Sequence, residues 1–198
     1  MKNPFLRLML PALLLVSVAV THADMHEQGA WSLENLMRDI ATIESRTNRF
    51  TESKELAILE LTLTQTGTLH FQSPDRLNKQ ILSPEASSFE IAGSQLTIKS
   101  AGNPDQVMML DDNPQLRAFA ESIRAVLAGD LQALQRHFHT RLEGSSAQWQ
   151  LFLQPLDNLL AMQIDKIEIL GEATDIRQFI VLENGGDRTV TTLEPFRD

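Results

Sequence analysis

The chain has 198 residues, with 17 basic and 26 acidic side chains, a formal net charge of −9 and no cysteine. The acidic balance argues against nucleic acid or an anionic bilayer surface as the main partner. The missing thiols exclude a disulfide framework, a thiol nucleophile and zinc–thiolate sites.

Residues 1–23 read as a secretory signal peptide. Lys2 and Arg7 form a basic start, "LMLPALLLVSVAV" is an apolar run, and Ala23 offers a small residue for cleavage. The run falls short of the about 20 residues a membrane span needs. An uncleaved anchor is the alternative. No cysteine follows the run to carry a lipid. The product is expected to be soluble and exported. Loss of Lys2 and Arg7 takes its net charge from −9 to −11. Residues 24–198 suffice for one domain with a sizeable core.

After a loose "DMHEQGA", a helix is expected over about 32–45. Leu33, Leu36, Met37, Ile40 and Ile43 form one stripe, and Ser32 is the N-cap. Strands follow almost without a break. "NRFTESKELAILELTLTQTG" is the first, with an irregularity expected around "ESKELA". "GTLHFQS" is the second, and in it Leu69 and Phe71 alternate with polar neighbours. "RLNKQILS" is the third, with Leu77 and Ile81 on a shared face. Phe89 and Ile91, a Gly93–Ser94 turn, then Leu96 and Ile98 read as a hairpin. "QVMMLDD", with Met108 and Leu110, is a sixth short strand. Short turns between these segments favour an antiparallel meander, because parallel strands need long crossovers.

The pattern then turns helical. Asn113 is the expected N-cap of a helix over 114–128, with Pro114 in its first position and Gly129 ending it. Leu116, Phe119, Ile123, Val126 and Leu127 make its apolar stripe. Asp130 caps a shorter helix carrying Leu131, Leu134 and Phe138. Strands resume with alternating Trp149, Leu151 and Leu153, then Ile167 and Ile169. A last hairpin turns around Gly185, Gly186 and Asp187. The class is α+β: about eleven antiparallel strands with helices on one face. A sheet that large tends to curl. A curled sheet with helices at its mouth makes a cavity.

No catalytic set emerges. The chain has no nucleophile elbow, P-loop or dinucleotide fingerprint. "EGSSAQ" is a hairpin turn. Asp111 and Asp112 are explained by a helix start, where acids are favourable. His137 and His139 lack a third metal ligand at a familiar spacing, and His70 sits on the polar side of its strand. No enzyme activity, cofactor or metal is expected. The helices over 114–138 carry much apolar surface. Ordinary core explains it; a lid over a container is the sharper reading.

The landmarks "RFTESK", "GTLHFQSPDRLNKQILSP", "FEIAGSQLTI", "NPQLRAFAESIRAVLAGDLQAL", "WQLFLQP" and "GGDRTVTTLEP" run in one order over about 31–195. In order and spacing the chain resembles the LolA-like periplasmic lipoprotein carriers of Gram-negative bacteria, in a divergent branch. The resemblance implies an incomplete, strongly curved antiparallel β-barrel of about eleven strands, lidded by helices over an apolar cavity. It implies a monomeric carrier of lipoprotein acyl chains or a related lipid. Cargo would come from an inner-membrane ABC transporter and pass to an outer-membrane receptor lipoprotein. The missing cysteine puts the chain on the soluble side of that exchange. At about 0.8 kcal/mol per methylene, a sixteen-carbon chain is worth on the order of 10 kcal/mol in the cavity. Release into water would be slow, so hand-over from cavity to cavity is needed.

The side chains expected at the cavity and lid are Leu69, Phe71, Leu77, Ile81, Phe89, Ile91, Leu96, Ile98, Met108, Leu110, Leu116, Phe119, Ile123, Leu127, Trp149, Leu151 and Leu153. In the family a basic residue precedes the strand-ending proline and bonds the lid shut. Here that residue is Ser73, before Pro74, with Arg76 as the nearest substitute. Serine lacks a guanidinium fork, which leaves lid control and cargo open. An envelope regulator that senses lipoproteins and binds an anti-sigma factor is the alternative. An enzyme on a lipid-binding scaffold is a third reading.

Overall fold

A computed structural model describes residues 31–196. The expected export signal lies outside the described residues. Helix α1 (Leu33–Ile40) is capped by Ser32, whose hydroxyl accepts from the Asn35 N–H at 3.2 Å. It ends at Ile40, five residues short of the expected boundary. The Ile43 N–H bonds the Ile40 carbonyl in a turn, and the chain enters β1 (Ser45–Leu56). The β-branched pair Thr42–Ile43 favours that exit.

Strand β1 and β2 (Leu61–Gln72) form a long hairpin in full register, from Ser45 opposite Gln72 to Leu56 opposite Leu61. The irregularity expected around "ESKELA" is a turn at 57–60, which starts on its last residue and splits the expected first strand in two. It contains no Gly, Pro, Asn or Asp, so it carries no local turn chemistry. A remote contact holds it instead: the Ala57 N–H donates to Asp187 Oδ1 at 3.0 Å. The sheet continues through β3 (Arg76–Ser83), β4 (Ser87–Ala92), β5 (Gln95–Ser100) and β6 (Gln106–Met109). The last of these is shorter than expected, because Leu110–Asp112 forms a 3-10 turn.

Helix α2 (Pro114–Ala128) starts as its sequence dictates: the Asn113 side chain accepts from the Leu116 N–H at 3.0 Å. It stops at Gly129, whose φ of +68° suits glycine. A Cβ on Gly129 would lie 2.1 Å from the Met37 carbonyl oxygen of α1, so space demands glycine as well. Asp130 caps α3 (Leu131–His137) through the Ala133 N–H at 2.9 Å. Then come β7 (Phe138–Ser145), β8 (Gln148–Pro155), the short α4 (Asn158–Ala161), β9 (Ile164–Glu172), β10 (Asp175–Glu183) and β11 (Arg188–Pro195).

All eleven strands form one antiparallel sheet in the order β6-β5-β4-β3-β2-β1-β11-β10-β9-β8-β7. The sheet is not closed into a barrel: β6 and β7 are its two edges. One main core joins Leu36, Met37 and Ile40 of α1, Val126 and Leu127 of α2, and Leu134 of α3. Opposite them stand Phe50, Phe71, Trp149, Leu151, Leu153, Ile167, Ile169 and Leu193 from the strands. The helices therefore cover one face of the sheet.

Candidate functional site

Beneath α2 lies a pocket of about 710 Å³. Leu116, Phe119, Ala120 and Ile123 of α2 line one side. The sheet contributes Phe50, Leu69, Leu77, Phe89, Ile91 and Leu96 from β1 to β5, and Ile164, Ile167, Phe179 and Val181 from β9 and β10. Leu160 and Gln163 complete the wall. Strands β5 and β9 stand seven places apart in the sheet. Laid flat, they would be roughly 34 Å apart at about 4.8 Å per strand. Both border one pocket, so the sheet curls around it.

The strand period explains this lining. On β1, Phe50, Glu52 and Lys54 point the same way. On β3, Leu77, Lys79 and Ile81 do; on β10, Phe179, Val181 and Glu183; on β11, Leu193, Thr191 and Thr189. On β1, β10 and β11 apolar side chains fill one end of the row and polar ones the other, while on β3 Lys79 lies between Leu77 and Ile81. Register brings the polar ends together: Glu52 faces Thr191, and Lys54 faces Thr189. Glu52 accepts from Lys79 Nζ at 2.7 Å, from Thr191 Oγ1 at 2.6 Å and from the Gln65 amide. Lys54 Nζ donates to Glu183 Oε1 at 2.9 Å. Lys79 Nζ also stands 4.8 Å from the centre of the Phe50 ring. Burial by itself would raise the Glu52 carboxyl. The Lys79 charge and the hydrogen bonds from Lys79, Thr191 and Gln65 outweigh it and hold the group below the usual carboxylate range.

Of the seventeen side chains expected at the cavity and lid, Leu69, Leu77, Phe89, Ile91, Leu96, Leu116, Phe119 and Ile123 line the pocket. Phe71, Ile81, Leu127, Trp149, Leu151 and Leu153 pack in the main core instead. Leu110 is fully buried in a second cluster, against which Ile98 packs, and Met108 is exposed on the edge strand β6. Helix α3 contributes Leu134 to the core and no side chain to this pocket.

Sequence reasoning missed the charged lining. Lys54, Lys79, Glu52 and Glu183 were not among the expected site residues, and charged side chains are seldom inside unless paired. The available signal was the period of two that puts Glu52 and Lys54 on the face of Phe50, Lys79 on that of Leu77 and Glu183 on that of Val181. Phe50, Phe179 and Val181 carried the same signal.

Ser73 and Arg76 are both exposed. The Ser73 N–H donates to the Glu44 carbonyl at 2.8 Å, and its bond to Pro74 is cis. The arginine that joins helix to sheet is Arg124 of α2. Its Nη1 donates to the Gly93 carbonyl at 2.6 Å and to the Asp75 carbonyl at 3.4 Å. A second hollow of about 360 Å³ lies there, bordered by Pro74, Asp75, Gly93, Ser94, Arg117, Glu121, Arg124 and Arg136 among others. His137 Nε2 lies 2.8 Å from Glu121 Oε2, and His70 Nδ1 lies 2.8 Å from the Thr47 hydroxyl. Among the described residues no helix is long and apolar enough to cross a membrane.

Among solved structures, the chain is similar to a LolA superfamily protein from Nitrosomonas europaea, at 12% identity and a TM-score of 0.46, covering 85% of this chain and 95% of that one. It is similar to a DUF1329 family protein from Desulfovibrio piger, at 12% identity and a TM-score of 0.45, with 82% and 88% covered. A chain of the Pseudomonas aeruginosa MucA/MucB complex matches at 13% identity and a TM-score of 0.43, with 84% and 58% covered. No curated protein matches the chain. Residues 27–194 match the family model described as outer membrane lipoprotein carrier protein LolA-like. The chain belongs to that family.

Proposed function

We propose that this protein is a soluble periplasmic carrier that holds the acyl chains of lipoproteins, or of related lipids, beneath α2 and moves them from the inner to the outer membrane. One observation supports the reading: apolar side chains that include Leu69, Phe89 and Phe119 line the 710 Å³ pocket. Its volume lies within the roughly 300–1,000 Å³ range of small-molecule sites. Helix α2 is the lid, and the curled sheet is the container. Residues 1–23 are the cleaved export signal, and 24–198 form the single carrier domain. Cargo arrives from an inner-membrane transporter and leaves to a receptor lipoprotein at the outer membrane. The protein does no chemistry on its cargo.

The lid is a two-state element, since cargo can shift it only by binding one state better than the other. Lipid extraction and native mass spectrometry of protein purified from membranes test the reading. An acyl-bearing adduct, lost in Phe119→Asp, is the expected result. A pocket that takes up no acyl ligand under any loading condition overturns it.

A further inference from the structure

The pocket is two-sided. Moving along β1 from Phe50 to Lys54 covers four residues, roughly 13 Å at 3.3 Å per residue. Over that distance the inner face of β1 passes from the Phe50 ring to the charged Glu52 and Lys54. The same change runs from Leu193 to Thr189 on β11 and from Phe179 to Glu183 on β10. Such a surface matches a molecule with an apolar chain at one end and a hydrogen-bonding head at the other.

The charges at the polar end decide what kind of head. Two lysines, Lys54 and Lys79, stand with two glutamates, Glu52 and Glu183, so the array is neutral. The deeper pair is complete: the Glu52 side chain is only 14% exposed and accepts from three donors. The outer pair is open: Lys54 and Glu183 are 37% and 33% exposed. An ammonium has three donors, and among the described residues Lys54 directs one of them to protein, at Glu183.

Resting on the carrier reading above, we infer that the Lys54–Glu183 pair is a head-group subsite, and that it selects amphipathic cargo whose head has no net charge. A head with hydroxyls or with paired opposite charges bonds Lys54 and Glu183 together without parting them. A net-anionic head on the open donors of Lys54 brings a second negative charge beside Glu183, with one cation to balance both in a half-buried site. A charge left without a balancing partner in a partly buried site is costly. Thr189 offers a hydroxyl to either head and does not discriminate, whereas the Thr191 hydroxyl already donates to Glu52.

The test uses the full chain, delipidated, and four ligands with one palmitoyl chain each, below their micelle-forming concentrations. Lysophosphatidylethanolamine and monopalmitoylglycerol have no net charge; lysophosphatidylglycerol and palmitate are anionic. Each is titrated against bound N-phenyl-1-naphthylamine, an uncharged fluorescent probe. The two neutral-headed ligands should displace it at concentrations about tenfold lower, the size expected for one lost hydrogen bond to a charged group. Glu183→Gln, which frees Lys54, should close or reverse that gap, and Lys54→Gln should widen it. Urea midpoints near wild type show that both variants are folded. Anionic ligands that bind as well as neutral ones to the wild type overturn the head-group inference and leave the carrier reading standing. A gap that survives Glu183→Gln overturns the assignment to this pair. If no ligand displaces the probe, the carrier reading falls and takes this one with it.

Discussion

Arg124 Nη1, from the middle of α2, lies 2.6 Å from the carbonyl oxygen of Gly93 at the β4–β5 turn. In the family pattern the cation stands on the strand side, before the proline. Here that position is Ser73, and a cation reaches the sheet from the helix side. A guanidinium can bond two carbonyls at once, and Arg124 does so with Gly93 and Asp75. Arg124→Ala should lower stability by about 1.5–3 kcal/mol, the range for hydrogen bonds to a charged group. Amide hydrogen exchange should quicken along α2 and leave β8 and β9 unchanged. Unaltered protection of α2 would mean that this bond does not hold the helix down.

Phe119 is only partly buried and borders the pocket, whereas Leu134 is fully buried in the core. Phe119→Asp should abolish acyl binding and leave cooperative urea unfolding in place. Leu134→Ala should do the reverse, costing about 2–5 kcal/mol while acyl binding to the folded fraction persists. If Phe119→Asp abolishes the unfolding transition, Phe119 is ordinary core.

Gly67 sits where β2 and β3 change register, between Thr66 and Gly67. A Cβ there would lie 1.8 Å from the Gln80 carbonyl oxygen and 2.9 Å from the Phe50 ring. Backbone cannot yield as a flexible side chain can. Gly67→Ala should cost about 1–3 kcal/mol by overpacking. A urea midpoint within error of wild type would show that the two strands separate freely.

Glu52 links folding to pH. Its carboxyl is held below the usual range in the folded chain. Its contribution to stability is therefore complete above the unfolded value of about 4.3 and falls away as pH drops through the lower folded value. Urea midpoints measured from neutral pH downward should decline in that acid window. Glu52→Gln should flatten that part of the profile. A variant with the same acid slope as wild type would assign the loss to other carboxylates.

The β1–β2 turn shows where local reading fails. Nothing in 57–60 asks for a turn, and Ile58 is 87% exposed there. Asp187, 130 residues away, supplies the hydrogen bond that holds it. The start of α2 shows the opposite case. Asn113, Pro114 and Gly129 act within a few residues of themselves, so the helix was readable to its last residue.

By itself, the sequence determined the alternation of β3, β4, β5, β8 and β9, the caps of α2 and α3, the antiparallel order of hairpin neighbours and the family. These depend on contacts within one element or across one short turn. Only the tertiary structure decided which face of each strand looks inward where charges and apolar groups share it. It set Glu52 against Thr191, Lys54 against Glu183 and Arg124 against Gly93. A period of two sorts residues into two faces. It cannot say that a charged residue two places from Phe50 will find its partner more than a hundred residues on, because that pairing exists only once β11 has paired with β1.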